Sequence, residues 1–165
     1  GETSALHFLS TKNAQVTEVH KFDSFDGTLS DGGKLNVAVD LSSVNTAIDI
    51  RNKRMQEMLF NVTKFAQATF EANLPESMMN LKSGQVVNGK VDGILMLHGK
   101  AVPTSFAVKA SKVNDDTLTV STTSPTLIKA ESFGLAEGVA ALQKIAGLKS
   151  ITTTVPVTFS VTFTQ

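Results

Sequence analysis

Apolar and polar residues alternate with a period of two along most of this chain. The strictest run is the last, "VPVTFSVTFTQ", where Val155, Val157, Phe159, Val161 and Phe163 interleave with Pro156, Thr158, Ser160, Thr162 and Thr164. In an extended strand such alternation sends one row of side chains to each face, so one face avoids water. "LNVAVDLS" repeats it with Leu35, Val37, Val39 and Leu41, and "ATFEANLP" with Ala68, Phe70, Ala72 and Leu74. "VVNGKVDGILMLHG" gives Val87, Gly89, Val91, Gly93, Leu95 and Leu97; "PTSFAVKASKV" gives Phe106, Val108 and Ala110; "DDTLTVSTTS" gives Leu118 and Val120. "SALHFLST" and "AQVTEVHKFDSFDGTLS" stand at the front. With "SDGGK", "HGKAVP" and "VNDDT" as turns between runs, the pattern predicts about eight strands, mostly consecutive and antiparallel.

Two segments leave this period. "NKRMQEMLFNVTKFA" puts Met55, Met58, Leu59 and Val62 at helical spacing behind the basic cluster Arg51, Lys53 and Arg54. "ESFGLAEGVAALQKIAGLK" puts Val139, Leu142, Ile145 and Ala146 on one stripe, with Lys144 and Lys149 late in the run, where a helix dipole favours cations. Two short helices are predicted.

Eight alternating strands protect their edges either by closing or by stacking as two sheets. The last strand is too long and too regular for an exposed edge, and Pro156 lies near its start, where a missing donor is tolerated. The expected fold is therefore all-β with short helices: an antiparallel eight-stranded β-barrel, residues 1–165 forming one domain, with one or two helices capping or flanking it. At this strand number an interior is either filled by side chains or holds one small ligand. The inward rows mix bulky residues with Gly89, Gly93, Ala68, Ala72, Ala110, Thr122 and Ser124, which leaves room, although glycine also marks bends. Alternation alone leaves both interiors open.

Composition removes several function classes. Lysine plus arginine equals aspartate plus glutamate, so nothing global favours nucleic acid. Ten phenylalanines without tryptophan or tyrosine fit aromatics that face inward, and count against a carbohydrate platform. The absence of cysteine excludes disulfides, zinc-thiolate sites and cysteine nucleophiles. His7, His20 and His98 lie on separate runs without metal-ligand spacing, and no Gly-rich phosphate loop or GxSxG elbow occurs. His98, in "LHG", reads as a hairpin hydrogen-bonder, and Asp115–Asp116 as a turn. No stretch is long and apolar enough to span a bilayer as a helix, and the opening "GETSALHF" reads as a mature or trimmed form.

Five pieces, in order, resemble the YceI-like polyisoprenoid-binding family: "VHKFDSFDGTL" with Phe22, Phe25 and Gly27, then "VDLSSVNTAIDIRN", "MLFNVTKFAQATFEA", "GILMLHGKAVPTSFAV" and "IKAESFGL". The chain departs from that pattern at Asn52, where an Asp is usual, and at Lys129-Ala130, where an Arg often stands. The resemblance implies a lipocalin-like barrel that is not an enzyme and requires no cofactor. Its ligand would be an amphiphilic isoprenoid lipid (a polyprenyl phosphate or a quinone-type molecule) or a fatty-acid derivative. It further implies a periplasmic or secreted bacterial protein, a homodimer in many members, and in some a module of a larger secreted protein.

On this expectation the inward positions Val37, Val39, Phe70, Leu95, Leu97, Phe106, Val108, Val120, Phe159 and Val161 line the tunnel. Phe22, Phe25, Met55, Met58, Leu59, Phe60 and Phe65 form a gate, since Met adapts to irregular apolar shapes. Arg51 and Arg54 meet an anionic head group, to which arginine's planar fork is suited. The competing expectation is a filled barrel serving as a protein interaction module. Ile94 and Met96, apolar on the face opposite the tunnel row, belong to that reading.

Overall fold

The computed structural model describes residues 5–13, 16–30, 32–148, 150–151 and 153–164. Eleven strands follow in order: β1 (Ala5–Lys12), β2 (Val16–Phe22), β3 (Phe25–Leu29), β4 (Lys34–Asp40), β5 (Val44–Asn45), β6 (Gln67–Asn73), β7 (Val86–Leu97), β8 (Lys100–Asn114), β9 (Thr117–Thr122), β10 (Thr126–Lys129) and β11 (Thr154–Thr164). Three helices interrupt them: α1 (Asp49–Arg54), α2 (Glu76–Met79) and α3 (Ala136–Ile145). All strands belong to one sheet in the order β3-β4-β6-β7-β8-β9-β11-β1-β2-β5, with β10 added beside β11.

Of the three strands beyond the eight that the pattern predicts, two come from bends and the third, β10, is a short addition beside β11. Only Asp23 and Ser24 separate β2 from β3, and only the 3-10 turn Leu41–Ser43 separates β4 from β5. β2 pairs with β5 through Phe22↔Val44, and β3 with β4 through Phe25↔Val39. Between those pairs the Asp23 amide donates to the Ser43 carbonyl and the Asp40 amide to the Ser24 carbonyl, each at 3.0 Å. The two halves therefore form one bent strand on each side, still paired through the bend. Because β2 also pairs with β1, and β4 with β6, the hydrogen-bonded path returns to its start. The ring has eight members, with β10 outside it.

The sequence "DLSS" makes the bend. The Asp40 carboxylate accepts from the Ser42 amide and hydroxyl, while the Ser43 hydroxyl donates to the Asp40 carbonyl and accepts from the Ser24 amide at 3.0 Å. Short polar side chains here supply hydrogen bonds that the ladder gives up.

The interior is not uniform. At the end nearest α2, Leu35, Phe70, Ala72, Leu74, Met78, Val91, Phe106, Val108, Ala110, Leu118 and Val120 form a continuous buried cluster. Met78, from α2, is only 1% exposed and plugs this end. Two glycines of β7 that looked like spare room are instead occupied by neighbouring side chains. A Cβ on Gly89 would stand 2.8 Å from Met78 Cε, and one on Gly93 would overlap the Glu71 carbonyl and stand 2.7 Å from Phe70 Cζ. Small residues here make space for protein, not for ligand.

The helices also shift from their expected places. The first begins earlier, at Asp49, and passes into a π-helical turn, Met55–Phe60, that ends at Asn61 in the left-handed region with φ 51°. The second is confined to α3, preceded by a 3-10 turn at Ala130–Phe133. α2 has no periodic signal in the sequence. Gly93→Ala is expected to cost about 1–3 kcal/mol through backbone overlap, read as a lowered urea midpoint. Gly32→Ala, with nothing within 4 Å, is the matched control and should leave the midpoint in place.

Candidate ligand cavity

At the other end the barrel is hollow. An apolar-walled cavity of about 190 Å³ lies between the inward rows of the strands and a cover formed by the helical segments. Its wall comes from Leu6 and Phe8 on β1, Phe22, Phe25, Val37 and Val39 on β2–β4, Leu95 and Leu97 on β7, and Val155, Val157 and Val161 on β11. Its floor is an aromatic row: Phe70 and Phe159 each meet Phe106 edge-on, with ring centroids 5.0 and 5.1 Å apart. An apolar space of this kind holds no bridging water, because water there finds no polar partner.

The cover has two parts. Leu59 and Phe60 project from the π-helical turn, and Leu135 and Val139 from the start of α3, with Ile128 and Ala130 beside them. Glycine is needed at one point between these parts. A Cβ on Gly138 would stand 2.8 Å from the Met58 carbonyl oxygen and 3.0 Å from Leu59 Cα, so α3 rests on the turn backbone to backbone. Phe60 continues inward through Phe22, 5.9 Å away, to Phe8, a further 5.3 Å. His98 anchors the neighbouring hairpin: its Nδ1 lies 3.2 Å from the Phe133 carbonyl, and its ring packs on Phe65 at 4.6 Å.

Of the ten residues expected in the tunnel, Val37, Val39, Phe70, Leu95, Leu97, Phe106, Phe159 and Val161 reach this wall. Val108 and Val120 do not; both are fully buried in the filled half, on the same face as Phe106 but below the floor. Of the expected gate, Phe22, Phe25, Leu59 and Phe60 border the cavity. Met55 is buried beneath the turn with Leu41 and Val44, Met58 meets α3 through its carbonyl, and Phe65 sits outside against His98. The wall residues outside the expected tunnel and gate sets include Leu6, Phe8, Leu135, Val139, Val155 and Val157. All but Leu135 stand at apolar positions of runs that the alternation or the helical stripe had marked.

Arg51 and Arg54 do not line the cavity. Arg51 belongs to a polar cluster beside it: Nη1 pairs with Glu18 at 3.0 Å and Nη2 donates to the Thr46 carbonyl at 2.6 Å, while Glu18 also pairs with Lys12 at 3.0 Å. Asn52 completes the arrangement, its Oδ1 accepting from the Thr46 amide at 2.8 Å and hydroxyl at 2.6 Å. An amide oxygen thus fills an acceptor role that a carboxylate also satisfies. His20 lies at the inner edge of the cluster, 5% exposed and edge-on to Phe8 at 5.3 Å. Neither His20 Nδ1 nor Arg51 Nε meets a partner among the described residues. The hydrogen bond from Lys12, aided by the charge of Arg51, holds the Glu18 carboxyl below its usual range. Burial, aided by Arg51, holds the His20 ring below its ordinary value of 6.5. Among the described residues no three His, Asp or Glu side chains come together as metal ligands.

The model of the YceI-like domain matches residues 2–163. The chain belongs to the YceI-like family. A solved polyisoprenoid-binding domain from Saccharophagus degradans, implicated in plant cell wall breakdown, is 34% identical to it, with a TM-score of 0.93 over 98% of this chain and 93% of that one. BcnA of Burkholderia cenocepacia is 20% identical, with a TM-score of 0.73 over 99% and 98% of the two chains. The Campylobacter jejuni YCEI protein is 18% identical, with a TM-score of 0.63 over 94% and 90%. The last two likenesses show the fold. No curated protein sequence matches the chain.

The polar cluster of this YceI-like domain makes its stability depend on pH with a defined sign. The unfolded chain takes up a proton on His20 near pH 6.5, whereas the folded chain resists protonation until lower pH. The contribution is full above that point and is lost as pH falls from there toward the folded value; Glu18 adds a loss of the same sign in its own, more acidic range. Denaturation midpoints should therefore begin to fall as pH drops below about 6.5. In His20→Gln the fall in that first window should shrink while the more acidic one persists.

Proposed function

We propose that this YceI-like domain binds one isoprenoid amphiphile, a polyprenyl phosphate or a quinone-type lipid, without chemical conversion, holding its tail in the cavity for transport, storage or sensing. The observation that carries this reading is a partly open cavity of about 190 Å³ to which the wall presents only apolar surface. Each CH₂ transferred from water into such a space contributes about 0.8 kcal/mol. A buried tail therefore supplies a large gross gain, from which ordering and desolvation costs are subtracted. The polyisoprenoid-binding domain from Saccharophagus degradans, 34% identical, supports the choice of ligand class. The hollow half favours this reading over a barrel filled throughout and used only as an interaction module.

Arg54 is the better candidate for an anionic head group. It is the last residue of α1, directly before the covering turn, and makes no ion pair among the described residues, whereas Arg51 is held by Glu18 and Thr46. We place the protein's work outside the cytoplasm, in the periplasm or beyond, as in the family's usual setting.

Native mass spectrometry of the purified protein, followed by solvent extraction, should reveal a co-purifying lipid or stoichiometric uptake of added prenyl lipid. A clean apo mass with no uptake would sink the proposal. Val157→Thr keeps the shape of the wall but adds a hydroxyl, and should weaken binding roughly tenfold, about 1–2 kcal/mol, with the far-UV spectrum unchanged. Arg54→Ala should weaken an anionic amphiphile about two- to fivefold, as an exposed charge contact does, and leave a neutral one with the same tail unaffected. Equal weakening of both would remove Arg54 from the head-group role.

A further inference from the structure

We propose that Phe70, Phe106 and Phe159 set the length of tail that the cavity accepts, acting as a fixed stop at a depth of roughly eight carbons. This inference rests on the lipid-binding reading and adds to it a limit on the ligand. Three observations combine. The first is volume: an apolar cavity of 150 Å³ takes up the six carbons of a benzene ring, so a space of about 190 Å³ accommodates a segment of roughly eight carbons. The second is the stop itself. The three rings come from β6, β8 and β11, with β7 between the first two and β9 between the last two, so their edge-on contacts at 5.0 and 5.1 Å make one continuous aromatic row over five neighbouring strands of the ring, at the base of the cavity. The third is what lies beneath: Val108 and Val120 are 0% exposed and Met78 1%, so no channel continues past the rings.

A tail therefore fills the space down to the rings, and further carbons lie outside the cover, where they gain little. The chemical class follows: an amphiphile whose inserted segment, prenyl or acyl, is about eight carbons. A longer polyprenyl chain is held by one end and leaves through the mouth. Phe159 is the member best suited to test this, because it is only partly buried, whereas Phe106 is central to the buried cluster.

The test displaces the dye 1-anilinonaphthalene-8-sulfonate from the wild-type protein with n-alkanols of about six to twenty carbons and with prenyl alcohols in the same range. Affinity should rise about fourfold per added carbon up to roughly eight carbons and then level off. Phe159→Ala should move the levelling point to longer chains by several carbons, and the milder Phe159→Leu should move it less and in the same direction. Thermal melts establish that each variant is folded, and the wild-type break stands as a test even where a variant is not. A rise continuing to the longest chains, or a break that stays put in both folded variants, overturns the length stop while leaving lipid binding intact. Failure of every chain to displace the dye overturns both.

Discussion

Phe106 meets Phe70 on one side and Phe159 on the other, and because only β7 and β9 lie between their strands the three rings form one aromatic row across five neighbouring members of the eight-membered ring. Edge-on aromatic pairs contribute about 0.5–1.5 kcal/mol each beyond the area they bury, but their position matters more than that sum. They separate an interior packed by Val108, Val120, Val91 and Met78 from one left open. Without a barrier there, side chains from the two ends would share one loosely packed space. The barrier depends in turn on Gly93, whose missing side chain gives the Phe70 ring its place against the sheet.

The fold was largely legible because a two-residue period states which face of a strand is wet, and every run that showed it became strand. What the period does not state is where a strand bends. The break between β4 and β5 is held by hydrogen bonds between Ser24 and Ser43, nineteen residues apart, and nothing local in "DLSS" names that partner. α2 was illegible for a related reason. A helix of four residues has no period to read, and Met78 earns its place only by reaching a space beside Gly89 that belongs to another strand.

The cavity was half legible, and the split has one cause. Alternation fixes whether a side chain points inward but not how deep it lies along the barrel axis. Phe106 and Val108 follow each other on one face of β8, yet one borders the cavity and the other is sealed beneath it. Depth comes from register, Val108 opposite Gly89 and Thr122, and register is a property of pairs of strands. The same limit explains the small residues. Gly89 and Gly93 suggested emptiness, but a missing side chain is an invitation to whatever stands opposite, and here Met78 and Phe70 stand opposite. Arg51 shows the electrostatic version: its place in a basic cluster suggested a contact with an anionic head group, while its partner Glu18 lies thirty-three positions earlier on β2.

An open interior is costly, and its cost explains why the two ends of the barrel differ. At roughly 24 cal/mol per Å³, a space of about 190 Å³ forgoes about 5 kcal/mol of packing, a large share of the 5–15 kcal/mol that typical domains retain. The filled end, with its plug and aromatic row, must supply what the hollow end lacks. An occupant restores the missing contacts and so stabilises the folded state by mass action, which couples occupancy to stability. Exchange then needs a part that opens more cheaply than the whole. The cover is such a part: it is two short helical segments touching backbone to backbone at Gly138, outside the ring of paired strands. Although Phe60, Leu135 and Val139 are buried in it, displacing the cover breaks no strand pairing, and local opening costs less than global unfolding; the proposed ligand would pass there while the aromatic row and everything below it stay in place.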